Sequence, residues 1–165
     1  MINNELKTQI RGGLHSLVRV DSFDFPETLF YTNRHLWVRL ESNNIVTLGV
    51  DALGQTLAGK IVFVRLLKKG AQLTLGQGFG TIESLKWVER LSSPVGGVLE
   101  EANEALKSHS DLVNKDSYGE GWLVKIRVEG KPEEQLANLN HGVGIEAWVK
   151  QELVKYSEQL RKKRD

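Results

Sequence analysis

The hydrophobic positions change period along the chain. Over residues 2–18, Ile2, Leu6, Ile10, Leu14 and Leu17 recur three or four apart, which predicts a helical face interrupted by Gly12-Gly13. From Leu29 the period falls to two. In 35–41, Leu36 and Val38 share one face and Trp37 and Arg39 the other, the signature of a strand. Asn43-Asn44 predicts a tight turn into a second strand over 45–50. Asp51 is placed to cap a short helix to about Leu57, ended by Gly59. The run 61–67 is apolar enough to predict a well-buried strand, and Lys68-Lys69-Gly70 turns the chain. Gly76, Gly78 and Gly80 mark bends before a strand over 81–85. Strand resumes at Val98-Leu99, 103–106 reads as a helical turn, 108–120 as polar loop, and 122–128 alternates again. Pro132-Glu133-Glu134 opens a helix with the residues a first turn prefers. Residues 138–144 interrupt it, and a second helix runs from Ile145 to about Leu160. The pattern is mainly β between helical ends: an N-terminal extension over 1–25, expected to be helical, a β domain over 26–130 opened by Pro26, and a helical segment over 131–165.

Composition narrows the classes of function. The 22 basic and 21 acidic residues give a net charge of +1, so nothing points to nucleic acid. The basic stretch 161–164 reads as a solvated tail rather than a binding patch. There is no cysteine, which removes disulfides, thiolate metal sites and cysteine nucleophiles together. The N-terminus shows no basic region followed by an apolar run, and no stretch reaches the length of a membrane span. A cytoplasmic protein that engages no membrane is the expectation.

Local catalytic motifs are weak. Residues 54–60, Gly-Gln-Thr-Leu-Ala-Gly-Lys, match the start of a phosphate loop. Ile61 then stands where Ser or Thr is needed, and a strand follows where a helix should begin. Gly76, Gly78 and Gly80 lack dinucleotide-loop spacing. The histidines, His15, His35, His109 and His141, are scattered without ligand spacing, so no metal site is expected. Ser84 has no elbow motif and no nearby histidine, and Glu100 and Glu101 fall on opposite faces of a strand. As an enzyme, this sequence offers little.

The segment 80–90, Gly-Thr-Ile-Glu-Ser-Leu-Lys-Trp-Val-Glu-Arg, with Ser93-Pro94-Val95-Gly96-Gly97 after it, reads differently. It is a strand, a sharp tip carrying Lys86, a return strand and a Pro/Gly turn. It resembles the lipoyl-attachment segment of the glycine cleavage system H-protein family. That family has a Glu-Ser-Val-Lys-Ala core followed, eight residues after the lysine, by the proline of a Pro-x-x-Gly turn. Here the core is Glu83-Ser84-Leu85-Lys86-Trp87, and Pro94 holds that offset. Further similarities are Tyr31-Thr-x-x-His35-x-Trp37-Val38, the strand 45–50, Gly59-x-Ile61-Val-Phe-Val, Asn103-Glu-Ala-Leu106, Leu112-Val-Asn114 and Tyr118-Gly-Glu-Gly-Trp-Leu123. Biotinyl domains flank their lysine with methionines, and lipoyl domains of 2-oxoacid dehydrogenases show Asp-Lys-Ala; neither pattern is present.

The resemblance implies a lipoyl-domain-like barrel-sandwich hybrid with short peripheral and C-terminal helices. It implies lipoic acid bound covalently as lipoyllysine at Lys86, swinging between partner enzymes. The implied partners are a lipoate-protein ligase, glycine decarboxylase, aminomethyltransferase and dihydrolipoyl dehydrogenase, with an aminomethyl group as the load. Glu83, Ser84, Leu85, Trp87, Arg34, Leu36 and Arg90 would form the ligase-recognition region or the arm's surroundings. Three positions depart from the family pattern: Arg34 replaces a small polar residue, Leu36 a glutamate and Arg90 an aspartate. Trp87 adds bulk where alanine is usual. Two carboxylates that suit a cationic amine are thereby exchanged for an aliphatic group and a permanent cation. A lipoate carrier for sulfur oxidation, serving heterodisulfide-reductase-like subunits with an anionic load, is the alternative reading. A scaffold without a cofactor is a second.

Overall fold

The computed structural model describes residues 16–164. Eleven strands, written β1 to β11 in chain order, form three antiparallel sheets. A two-stranded hairpin joins β1 (Leu17–Val20) to β2 (Phe23–Pro26). The large sheet runs β3 (Phe30–Tyr31), β4 (Leu36–Leu40), β5 (Ile45–Val50), β11 (Val124–Val128), β10 (Gly97–Ala102) and β7 (Gln72–Leu73). The small sheet runs β6 (Ile61–Leu66), β8 (Gly78–Ser84) and β9 (Val88–Ser92). Val38, Val46, Leu48, Leu99 and Ile126 of the large sheet bury in one cluster with Val64, Ile82 and Leu91 of the small one. This is a β sandwich whose inner faces form the main core.

Local chemistry accounts for most boundaries. Asn43 and Asn44 both hold positive φ, 60° and 59°, as a primed hairpin turn between β4 and β5 requires. Asp51 caps α1 (Ala52–Ala58) by accepting from the Gly54 N–H at 2.8 Å. Asn103 accepts from the Ala105 N–H to start a 3-10 turn, Glu104–Lys107. Trp37 faces Gly49 across the β4–β5 pair, and a Cβ there would lie 2.2 Å from the indole. Only glycine lets that ring lie flat, with its N–H donating to the Ser117 carbonyl at 2.8 Å.

Several expectations are corrected. The 61–67 run is not well buried: Ile61 and Val64 are, whereas Val62, Phe63 and Leu67 are exposed. β6 is an edge of the small sheet with one packed face, and a bulge between Ile61 and Phe63 turns side chains outward. Gly78 and Gly80 lie within β8; of the three glycines there, only Gly76 has positive φ, 84°. Residues 108–120 contain a helical turn, α2 (Leu112–Lys115), whose Val113 is buried. After α3 (Pro132–Leu136), the C-terminal helix is split at Tyr156 into α4 (Gly144–Lys155) and α5 (Ser157–Arg164). The helical reading of 2–18 lies outside the described residues up to position 15. Leu17 and Val18, its last positions, belong to a strand paired with Phe25 and Pro26, so residues 17–25 are not helical. Phe23 and Phe25 sink into a second core with Tyr31, Trp37, Leu53, Trp148 and Val149.

A buried charge cluster ties α4 to the sheet. His35 sits at φ 64° before β4, a left-handed conformation that Asn also tolerates. Its Nδ1 lies 3.0 Å from an Asp51 carboxylate oxygen and its Nε2 2.8 Å from Glu152. The ring stacks on Trp148 at 5.3 Å. A ring with both nitrogens facing carboxylates is satisfied as imidazolium. Burial disfavours that charge, but the hydrogen bonds and charges of Asp51 and Glu152 outweigh it and raise the His35 pKa above its usual value. The folded value exceeds the unfolded one. The stabilisation is therefore fully present below about pH 6.5 and is lost as pH rises through the folded value.

His35→Asn keeps the backbone and removes the cation that neutralises two buried carboxylates. Urea unfolding at pH 6 should show a loss of about 3–5 kcal/mol. The wild type should lose stability above pH 6.5, with that slope missing from the variant; equal stabilities at pH 6 would contradict the clamp.

Candidate functional site

Lys86 stands at the tip of the β8–β9 hairpin. Glu83 pairs with Val88, and the Ser84 N–H donates to the Trp87 carbonyl at 2.9 Å, leaving Leu85-Lys86 as the two-residue connection. Neither has positive φ, so this is not a primed turn. Ser84 closes it instead: its Oγ accepts from the Lys86 N–H at 3.4 Å and the Trp87 N–H at 3.3 Å. Leu85 and Trp87 are 82% and 63% exposed, and Lys86 is exposed between them. Lys86 makes no ion pair with any described residue. The amine projects into solvent from a backbone held on both sides.

The other expected site residues separate into groups. Glu83 is half-buried on β8, in one row with Phe63 of β6 and Val88 of β9. Arg34, in the turn before β4, reaches β9. Its Nη2 is 3.3 Å from Glu89 and its Nη1 3.5 Å from Ser92 Oγ, so its charge is largely taken up by Glu89. Arg90 makes no ion pair with a described residue. It lies across β8, where a Cβ on Gly78 would come 2.6 Å from its Nε; the missing side chain gives the guanidinium its seat. Leu36 does not join them. It is 3% exposed, opposite Val50 in the main core, and presents nothing to an arm at the tip.

Sequence reasoning missed the turn-closing role of Ser84, the Arg34–Glu89 bridge and the Gly78 seat. A serine two residues before the tip lysine was the visible signal for the first. The other two join residues 55 and 12 positions apart, which periodicity does not report.

The remaining candidates carry no comparable chemistry. Gly54 lies inside α1 and β6 follows Gly59, so residues 54–60 form no phosphate loop. His15 lies outside the described residues. His109 is exposed, and His141 stacks on Phe30 with its Nδ1 2.9 Å from the Leu29 carbonyl. Among the described residues no group of three or more His, Cys, Asp or Glu is placed to hold a metal ion. No described helix is long and apolar enough to cross a membrane. A groove of about 620 Å³ lies between β6 and the 3-10 turn, with Val64, Leu66 and Leu106 in its lining, and Lys86 is not part of it.

Residues 29–152 match the family described as Glycine cleavage H-protein. The chain is 41% identical over 126 residues to a glycine cleavage system H protein of Bacteroides fragilis, covering 76% of this chain and 98% of that protein. It is 44% identical over 112 residues to one from Nostoc punctiforme, covering 68% of this chain and 86% of that protein. The crystal structure of a glycine cleavage system H protein from Mycobacterium marinum superposes with a TM-score of 0.60 at 27% identity, covering 68% of this chain and 97% of that one.

Ser84→Ala removes the acceptor that closes the tip. Amide hydrogen exchange at Lys86 and Trp87 should quicken severalfold while Ile82 and Leu91 keep their protection. Unchanged exchange at the tip would mean that the backbone alone holds the turn.

Proposed function

Because the chain belongs to the glycine cleavage H-protein family, we propose that it is a non-catalytic, cytoplasmic lipoyl carrier with lipoic acid in amide linkage to Lys86. The observation that carries this reading is the exposed Lys86 amine, without an ion-pair partner among the described residues, on a two-residue turn within Glu83-Ser84-Leu85-Lys86. The residues present fit the group: the amine is accessible, and no described carboxylate competes for it.

Lys86 joins the arm by attack of its neutral amine on the carbonyl carbon of activated lipoic acid. The N–C bond forms, the activating group leaves, the nitrogen sheds a proton and the lysine charge disappears. When bound, lipoate supplies a cyclic disulfide that one partner opens by attack at sulfur and another restores by oxidation. Leu85 and Trp87 flank the attachment point with apolar surface, and Ser84 fixes the Cα from which the arm swings. The chain has no cysteine, so no thiol of its own intercepts the disulfide by exchange. Tethering raises the local concentration of the reactive end at a docked partner. The partners in this reading are a lipoate-protein ligase, glycine decarboxylase, aminomethyltransferase and dihydrolipoyl dehydrogenase.

Arg90 favours a second reading. It is a permanent cation near the tip with no described carboxylate against it, and it attracts an anionic load rather than a cationic amine. In that reading the carrier serves sulfur oxidation with heterodisulfide-reductase-like subunits.

Incubation with a lipoate-protein ligase, lipoate and ATP should add the mass of one lipoyl group, and Lys86→Arg should abolish the gain. An unchanged mass for the wild type would make the chain a scaffold and contradict the carrier. The fully lipoylated protein should then support methylene transfer with glycine decarboxylase and aminomethyltransferase. Full lipoylation without transfer would move the assignment to the anionic load.

A further inference from the structure

The outer face of the small sheet is uncovered where it meets the tip. The ladder sets Phe63, Glu83 and Val88 side by side in one row and Arg65, Thr81 and Arg90 in the next. Their inward neighbours Val64, Ile82 and Leu91 are buried, so both rows point away from the core. Phe63 is 44% and Val88 67% exposed. The Arg65 guanidinium lies over the Phe63 ring at 5.0 Å, and Arg90 rests in the Gly78 seat. Aromatic and arginine side chains held in place on an exposed apolar patch are the groups that dominate binding energy at protein interfaces.

The occupant follows from what attachment requires. The chain has thirteen lysines, and before modification Lys86 is one amine among them. Enzymes that use the arm can recognise the arm; the enzyme that installs it has only the fixed surface around the tip. That surface carries two guanidiniums and one carboxylate around apolar groups, so its complement is an apolar surface edged with carboxylates.

We propose that the lipoate-attaching ligase docks on this outer face, seating Phe63 and Val88 in an apolar surface and pairing Arg65 and Arg90 with its own carboxylates. The proposal rests on the carrier reading. It makes the row from Phe63 to Val88, rather than the lysine alone, the determinant of which amine is acylated.

Steady-state lipoylation by a purified lipoate-protein ligase tests it, with the full chain as substrate and kcat and KM resolved. The double substitution Arg65→Glu, Arg90→Glu should raise KM for the carrier about tenfold or more with kcat unchanged. Phe63→Ser should do the same, and the wild-type KM should climb with salt. The double substitution Arg65→Lys, Arg90→Lys keeps charge and packing and should fall between, which guards against misfolding of the reversed variant. Val154→Ser, which alters an exposed apolar residue on α4, should leave KM at the wild-type value. A wild-type KM in both the reversed-charge and Phe63→Ser variants would overturn the proposal while leaving the carrier intact. Self-association of the wild type through this face, with lipoylation kinetics indifferent to the substitutions, would assign the patch to a second copy and overturn it equally. A wild type that accepts no lipoyl group would sink the carrier reading and this one with it.

Discussion

The pairing of β8 with strands on both sides is the constraint on which the rest depends. A modifiable amine has to stand clear of the fold while its Cα stays fixed, and an isolated hairpin is too unstable to do that. Here β8 is the central strand of the small sheet, and Phe79, Ile82 and Leu91 anchor its inner face in the main core. The turn at Leu85-Lys86 therefore extends from a rigid base. Ser84 supplies the last hydrogen bonds where backbone pairing ends.

Two polar links join distant parts of the molecule. The Arg34–Glu89 ion pair carries the turn before β4 onto the edge of the small sheet. Both partners are more than half exposed, so the contact adds little stability and acts mainly on the position of Arg34. The His35 clamp is different in kind. It is buried, it joins residues 117 positions apart, and its Asp51 also caps α1. It holds the C-terminal helix against the large sheet by a charge that exists only while the imidazole is protonated. The buried ion cluster and the proposed attachment point thus lie in separate places, the one in the second core and the other at the hairpin tip.

Much of this was legible in the residues. Asn43-Asn44, Asp51, Gly59 and Pro132 act through local geometry, and each ends or starts an element where its chemistry places it. The tip was legible for the same reason, since a strand, a two-residue connection and a return strand are local. What periodicity did not show was which face of a strand meets another layer. The 61–67 run reads as core, yet Phe63 and Val62 face outward because β6 is an edge strand with a bulge. Leu36 sits beside Arg34 in sequence but enters the core, as it is on β4 and Arg34 is in the turn before it. Leu17 and Val18 fit a helical spacing, but pairing with Phe25 and Pro26 overrides it. His35 meets Glu152 only through tertiary packing, and no spacing rule reports such a contact.

Everything functional in this account passes through a single nitrogen, so the position of the acyl group decides most. Peptide mapping by tandem mass spectrometry, after lipoylation of the full chain, reads that position directly. The account predicts lipoyllysine at residue 86 with the other twelve lysines unmodified. Acylation centred on Lys60 or Lys125, or spread across the exposed lysines, would contradict it.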